Sequence, residues 1–384
     1  MAETDQNGLL PEGLRDALPP EAAHEEALVR RLADLFAANG YERVTPPLIE
    51  FEDSLLARLD DASRLDMFRL LDPESQRVMA LRSDLTVQVA RIAATRLAHW
   101  PRPLRLSYAG TALRVKGSQL RPERQFRQVG LELIGPGSHA AVIEVLGLAQ
   151  AALALVPIAR LSIDLVVPGF IAGLCQELAL NADETAQARA ALDTKDVGAL
   201  AGLGGRAQSL LVAVLDHAGD ATSALAALGA LDLPPKSAAL VADLAALAAA
   251  WSARPDAAAL TVDLGEFRGF AYQHGLGFTL YARGVRGELG RGGRYSISLG
   301  DGGHEAATGL TLYMDSITRA APAPALTPRL WLPQHAPADQ AARWQGEGYV
   351  TVHALDAAAD PVAEAKRLRC SHYWHDGAIL PVSV

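Results

Sequence analysis

Residues 104–135, LRLSYAGTALRVKGSQLRPERQFRQVGLELIG, commit the chain to a long antiparallel hairpin, because apolar alternation runs on both sides of a basic connection. The first strand reads as 104–115. The loop, 116–124, carries Lys116, Arg121 and Arg124, and the second strand covers 125–134. Period-two geometry sends Val129, Leu131 and Leu133 to one face and Phe126, Gln128, Gly130, Glu132 and Ile134 to the other. That second face is unusual, since it sets an amide and a carboxylate on either side of a glycine. A glycine inside a strand often marks close approach by a ligand or another backbone. The face therefore reads either as a grip for a small polar cation or as a solvated sheet surface.

The rest of the sequence bounds what that hairpin belongs to. A chain of 384 residues allows two or three domains with a sizeable core. Half of it is hydrophobic but only 5% is aromatic, and abundant Ala and Leu favour helix. No charge-free apolar run reaches membrane-spanning length, and the polar, acidic start MAETDQNGLLPEG lacks the basic and apolar segments of a signal peptide. With only two cysteines, a cytoplasmic location is expected. A net charge of −9 gives nucleic-acid binding no support, despite the locally basic loop, and no membrane partner is expected either.

Taken in order, residues 8–18 form an N-terminal arm. A helix over about 21–39 follows, preceded by Pro19 and Pro20, stopped by Gly40 and striped by Leu28, Leu32, Leu35 and Phe36. Residues 43–51 read as extended, with Pro46 and Pro47 confining them to a sheet edge or an interface. Residues 67–81 read as a hairpin turning at DPES, and Asp84 precedes a helical run to about His99. Ser138 caps a helix to about Val156, residues 160–167 form a strand, and an Ala- and Leu-rich helical insertion covers about 175–255. Asn181 and Glu184 there resemble a capping box. The insertion reads as scaffold or as a partner surface. Residues 260–320 return to strands and glycine-rich turns. A linker, APAPALTP, leads to a small C-terminal α/β unit at 329–384, read as strand, helix, strand, helix and a final strand.

Four ordered segments carry a family resemblance over roughly residues 8–320. GYERVTPPLIE (Gly40–Glu50), LRSDLT (Leu81–Thr86), the pair Arg114 and QFRQVGLELIG, and GRGGRY with GLTLYMDSI (Gly309–Ile317) resemble motif 1, the amino-acid-binding turn, motif 2 and the run into motif 3 of the histidyl-tRNA synthetases. The resemblance implies an α+β fold: a class II aminoacyl-tRNA synthetase-like antiparallel sheet flanked by helices, spanning 1–320. It also implies a dimer built on motif 1. For the site, it implies that Gln128 and Glu132 hold a histidine side chain. Asp84, where the family has Glu, would take the α-ammonium with Thr86 beside it, and Arg114 the α-carboxylate. Arg268, Tyr272 and Tyr295 match further histidine-contacting positions, the tyrosines also fitting plain core packing.

The ATP machinery departs from that pattern. Lys116 stands where motif 2 normally has Glu, Ser316 where motif 3 has its arginine, and Tyr313 where a glycine leaves room. The C-terminal unit is too short for an anticodon-binding domain. An amino-acid pocket without ATP chemistry resembles the regulatory subunits of ATP phosphoribosyltransferase. That resemblance implies a chain without catalytic residues or cofactors of its own. Its implied partners are the short-form catalytic subunit, a second copy of itself, and histidine as effector. The rival implication is a working histidyl-tRNA synthetase or a histidine-sensing paralogue. Two other patterns carry less. GRGGRYSISLGDGG lacks the Lys-Ser/Thr of a phosphate-binding loop and reads as turns. Cys370, His372 and His375 fall short of a zinc ligand set and read as a strand end with surface histidines, so no metal is expected.

Overall fold

The computed structural model describes residues 9–56, 67–118, 121–156, 158, 160–266, 275–299, 302–322 and 325–382. The chain divides into two units, Met1–Pro322 and Ala323–Val384. The first is organised by a nine-stranded sheet. Its strands are β1 (Glu42–Arg43), β5 (Leu104–Leu113), β6 (Gln125–Gly135), β7 (Leu161–Val166), β8 (Gly219–Asp220), β9 (Ala259–Val262), β10 (Gly277–Ala282), β11 (Gly290–Ser298) and β12 (His304–Tyr313). Across the sheet they lie in the order β1-β5-β6-β12-β11-β10-β7-β9-β8. Most neighbours are antiparallel, while β1 with β5 and β7 with β9 run parallel. A separate small sheet joins β2 (Ile49–Phe51), β4 (Val78–Leu81) and β3 (Arg69–Leu71) in that order.

The alternation in β6 survives intact and divides two cores. Val129, Leu131 and Leu133 face the helix Glu21–Ala38, the helix His139–Ala154 and the insertion helices, all in one continuous apolar cluster. Phe126 and Ile134 face the other way, packing with Leu85, Val89, Ala90 and Ala93 from the region of the helix Thr86–Thr95 and with Tyr108, Tyr295 and Tyr313. The polar face of the hairpin is thus fully buried rather than solvated. Ser138 caps its helix by accepting from the Ala141 amide, and Asn181 and Glu184 form the reciprocal capping box. The insertion helices lie in the crossover between β7 and β9, and their Leu192, Leu211, Leu244 and Trp251 join the main core.

Three expectations need correction. The helix after Asp84 ends at Thr95 rather than near His99. GRGGRYSIS is a strand, β11, rather than a set of turns. Its glycines answer to packing: a Cβ on Gly292 would stand 2.2 Å from Phe278 Cζ, and one on Gly290 2.5 Å from the Thr311 carbonyl oxygen. In the second unit, β13 (Arg329–Leu332), β14 (Val350–His353), β15 (His372–His375) and β16 (Ala378–Pro381) form a four-stranded sheet in the order β14-β13-β15-β16. The last strand is therefore a hairpin, turned by Asp376 and Gly377, both at positive φ. Among the described residues no group of three His, Cys, Asp or Glu is arranged to hold a metal, and no helix is long and apolar enough to cross a membrane.

Candidate functional site

The site grows from cross-strand register. Glu132 on β6 pairs with Leu106 on β5 and Gly309 on β12; Gly130 pairs with Tyr108 and Thr311; Gln128 pairs with Gly110 and Tyr313. These rows place one side chain after another along a single buried sheet face. Gly309 is required by Glu132, because a Cβ at that position would fall 1.8 Å from Glu132 Oε2. The gap at Gly130 has a different use from the one its sequence suggests. A Cβ there would meet the Tyr108 hydroxyl oxygen and the Leu310 carbonyl oxygen, each at 2.4 Å, so the space is filled by the neighbouring phenol rather than by a ligand.

Tyr108 is the hub of the resulting network. Its hydroxyl lies 2.7 Å from Thr311 Oγ1 and 3.2 Å from Thr86 Oγ1, and reaches Glu132 Oε1 at 3.2 Å. Tyr295 donates its hydroxyl hydrogen to Glu132 Oε2 at 2.8 Å. Tyr295 is thus packed in the core with its hydroxyl satisfied by Glu132. Asp84 is set by the turn that precedes its helix. Arg82 ties that turn to the extended segment before β2, donating to the carbonyls of Pro46 and Thr111, while the Arg82 amide donates to Leu48. Asp84 Oδ1 then accepts from the Thr86 amide at 2.6 Å. Gln128 locks the arrangement by donating to Asp84 Oδ2 at 3.1 Å and accepting from the Leu85 amide at 3.1 Å.

Asp84, Thr86, Gln128, Glu132 and Tyr295 thus converge. Arg114 stands at the rim with its guanidinium 4.2 Å over the Phe126 ring, and its charge acts to lower the Asp84 pKa. Among the described residues its side chain has no hydrogen-bond partner. Arg268 and Tyr272 lie outside the described residues. Sequence reasoning missed Tyr108 and Thr311. Tyr108 occupies the position directly opposite Gly130 on the partner strand, which only the strand register reveals.

Burial dominates the electrostatics of both carboxyl groups on this face. Glu132 is 0% exposed, and burial raises its carboxyl to a pKa of about 8, helped by the nearby Asp84 and opposed by the phenol donors. Burial likewise raises Asp84 above the usual carboxylate range. No described Lys, Arg or His pairs with Glu132. Below about pH 4.5 Glu132 is protonated whether the chain is folded or unfolded. Between about pH 4.5 and pH 8 the unfolded chain loses that proton while the folded one keeps it, so this group lowers stability as pH rises. Glu132→Gln removes that slope. Relative to wild type, the ligand-free variant is expected to gain on the order of 2–4 kcal/mol between pH 5 and pH 8.5 in urea unfolding. An offset that is the same at both pH values would show that Glu132 is not held protonated.

Comparison with known proteins places this geometry. The family described as Histidyl-tRNA synthetase matches residues 13–317. The chain is 52% identical to an ATP phosphoribosyltransferase regulatory subunit from Rhodospirillum centenum, covering 97% of this chain and 95% of the relative. Among solved structures, an ATP phosphoribosyltransferase regulatory subunit/histidyl-tRNA synthetase from Bacillus halodurans superposes with a TM-score of 0.79 at 22% identity, covering 95% and 96% of the two chains. A chain of the ATP phosphoribosyl transferase (HisG:HisZ) complex from Thermotoga maritima shares the fold at a TM-score of 0.58 and 17% identity, covering 76% and 97%.

Proposed function

The chain belongs to the regulatory subunits of ATP phosphoribosyltransferase, which are not catalytic by themselves, and from that membership we propose that the short catalytic subunit depends on it for activity and that free histidine inhibits the enzyme through the pocket around Glu132. The observation that supports this reading is a buried polar sheet face carrying the carboxyl groups of Glu132 and Asp84, next to Tyr313 and the Arg121–Asp315 ion pair. Among the described residues neither Glu132 nor Asp84 forms an ion pair, and a buried carboxylate is costly until paired. Histidine supplies both complements: an imidazole N–H for Glu132 and Gln128, and an α-ammonium for Asp84. Its α-carboxylate suits the guanidinium of Arg114, which stacks on Phe126 and has no hydrogen-bond partner among the described residues.

The rival reading, a working histidyl-tRNA synthetase, is disfavoured by the surroundings of Tyr313. Its ring is buried, and Asp315 and Ser316 follow it where an arginine would serve ATP. Self-association is part of the proposal. On the small sheet β2-β4-β3 the cross-strand pair Leu71 and Val78 is exposed, an apolar pair next to the motif 1 region suited to a second copy. A cytoplasmic location fits a soluble biosynthetic partner acting on the first step of histidine synthesis.

Mixing the purified chain with a short-form catalytic subunit is expected to give a hetero-oligomer in size-exclusion chromatography with light scattering. Separate elution of the two proteins at micromolar concentration would contradict the proposal.

A further inference from the structure

The polar pocket ends abruptly at one side. Beyond Gln128, the same sheet face carries Tyr313, its cross-strand partner, and Phe126, two residues along β6. The two rings meet edge to face with centroids 6.1 Å apart. Packed into the corner that the two rings make is the guanidinium of Arg121, from the loop joining β5 and β6. It stands 3.7 Å from the Tyr313 ring centre and 4.7 Å from that of Phe126. Its Nε and Nη2 fork onto the two oxygens of Asp315 at 3.2 and 2.9 Å, and Nη1 approaches Glu288 at 3.6 Å. Arg121 is 3% exposed and Tyr313 is equally buried.

The slot that Arg121 occupies is lined by the faces of two steeply inclined rings and by the acids Asp315 and Glu288, groups that would also suit a flat ligand with hydrogen-bond donors. The chain fills it with its own side chain. A ligand entering would have to expel Arg121, leaving Asp315 buried without its forked partner, a costly state. Arg114 sits on Phe126 at the mouth of the same slot. A histidine lying between Glu132 and Arg114 therefore points its carboxylate toward the filled end.

Resting on the histidine-pocket reading, we propose that Arg121 is a specificity-determining plug: it closes the pocket at the carboxylate end and restricts it to a free amino acid, rejecting one whose carboxylate is joined to a bulky planar group such as a nucleoside. The regulatory chain then senses the unactivated end product and ignores its activated form.

The test is calorimetry of wild type with three probes: histidine, histidine methyl ester and histidyl-sulfamoyl-adenosine, a non-hydrolysable adenylate analogue. The ester loses only the carboxylate charge at Arg114 and is expected to bind about 10–100-fold more weakly than histidine. The analogue also meets the plug and is expected to bind more weakly than the ester. In the double variant Arg121→Ala/Asp315→Ser, which removes the cation and its buried partner together, the analogue should gain on the ester by at least about tenfold. Wild type binding the analogue as tightly as the ester would overturn the inference, as would a double variant with no gain in that ratio. If the double variant is too unstable to titrate, the wild-type comparison of ester and analogue decides. Absence of histidine binding would overturn the pocket reading itself, and this inference with it.

Discussion

Glu132→Ala is expected to weaken histidine binding by about one to two decades, because a hydrogen bond to a charged group contributes about 1.5–3 kcal/mol. The loss should exceed that of any rim substitution. Glu132 is wholly buried, is aimed by Tyr108 and Tyr295, and has no described cation of its own, so its interaction with an incoming imidazole is not diluted by solvent. Removing it relieves the cost of a carboxyl held at a pKa of about 8 but opens a cavity and takes an acceptor from Tyr108 and Tyr295, so the two effects on folding of the apo variant at neutral pH oppose each other. Weaker binding by a variant that is still fully folded is the signature of a site residue. Calorimetry with histidine, paired with urea unfolding of the same samples, reads both quantities. Weaker folding with unchanged binding would make Glu132 a structural residue and move the effector elsewhere.

Histidine-dependent exchange between ATP and pyrophosphate is expected to fall short of a synthetase rate by at least about 10²–10³, the usual effect of losing one preorganised charge contact at a reacting phosphate. At the motif 3 arginine position, Ser316 is buried and accepts a hydrogen bond from Arg319 Nη2 at 3.3 Å. Arg319 is itself engaged by Glu123 and approaches Asp315 at 3.8 Å. Arg121 is likewise committed to Asp315 and Glu288. Arg121 and Arg319 thus neutralise the protein's own acids instead of facing a phosphate. Exchange measured with wild type and with a bona fide synthetase under the same conditions tests this. A comparable rate would mean that the region rearranges into a working ATP site.

Much of this architecture is legible in the residues because it rests on local periodicity. The two faces of β6, the caps at Ser138 and Asn181, and the hairpin at DPES are each set by a few neighbouring side chains. What escaped reading depends on which strands become neighbours. The tyrosine over Gly130 comes from β5, the glycine that makes room for Glu132 comes from β12, and neither is visible until register is known. The glycine-rich run 290–298 misled for the same reason, since its glycines accommodate Phe278 and the β12 backbone rather than turning the chain. Arg121 looked like one more basic loop residue because nothing in its own segment announces Asp315, 194 positions away.

The central claim is that histidine acts through this pocket on a catalytic subunit that the chain activates. Inhibition curves for phosphoribosyl-ATP formation by the reconstituted complex, with wild type and with Glu132→Ala, test it most directly. Coupling between sites is reciprocal, so the loss of histidine affinity should appear as a rightward shift of the inhibition curve by about one to two decades, with the uninhibited rate still dependent on the added regulatory chain. Superimposable inhibition curves despite weakened binding, or full activity of the catalytic subunit without the chain, would contradict the account.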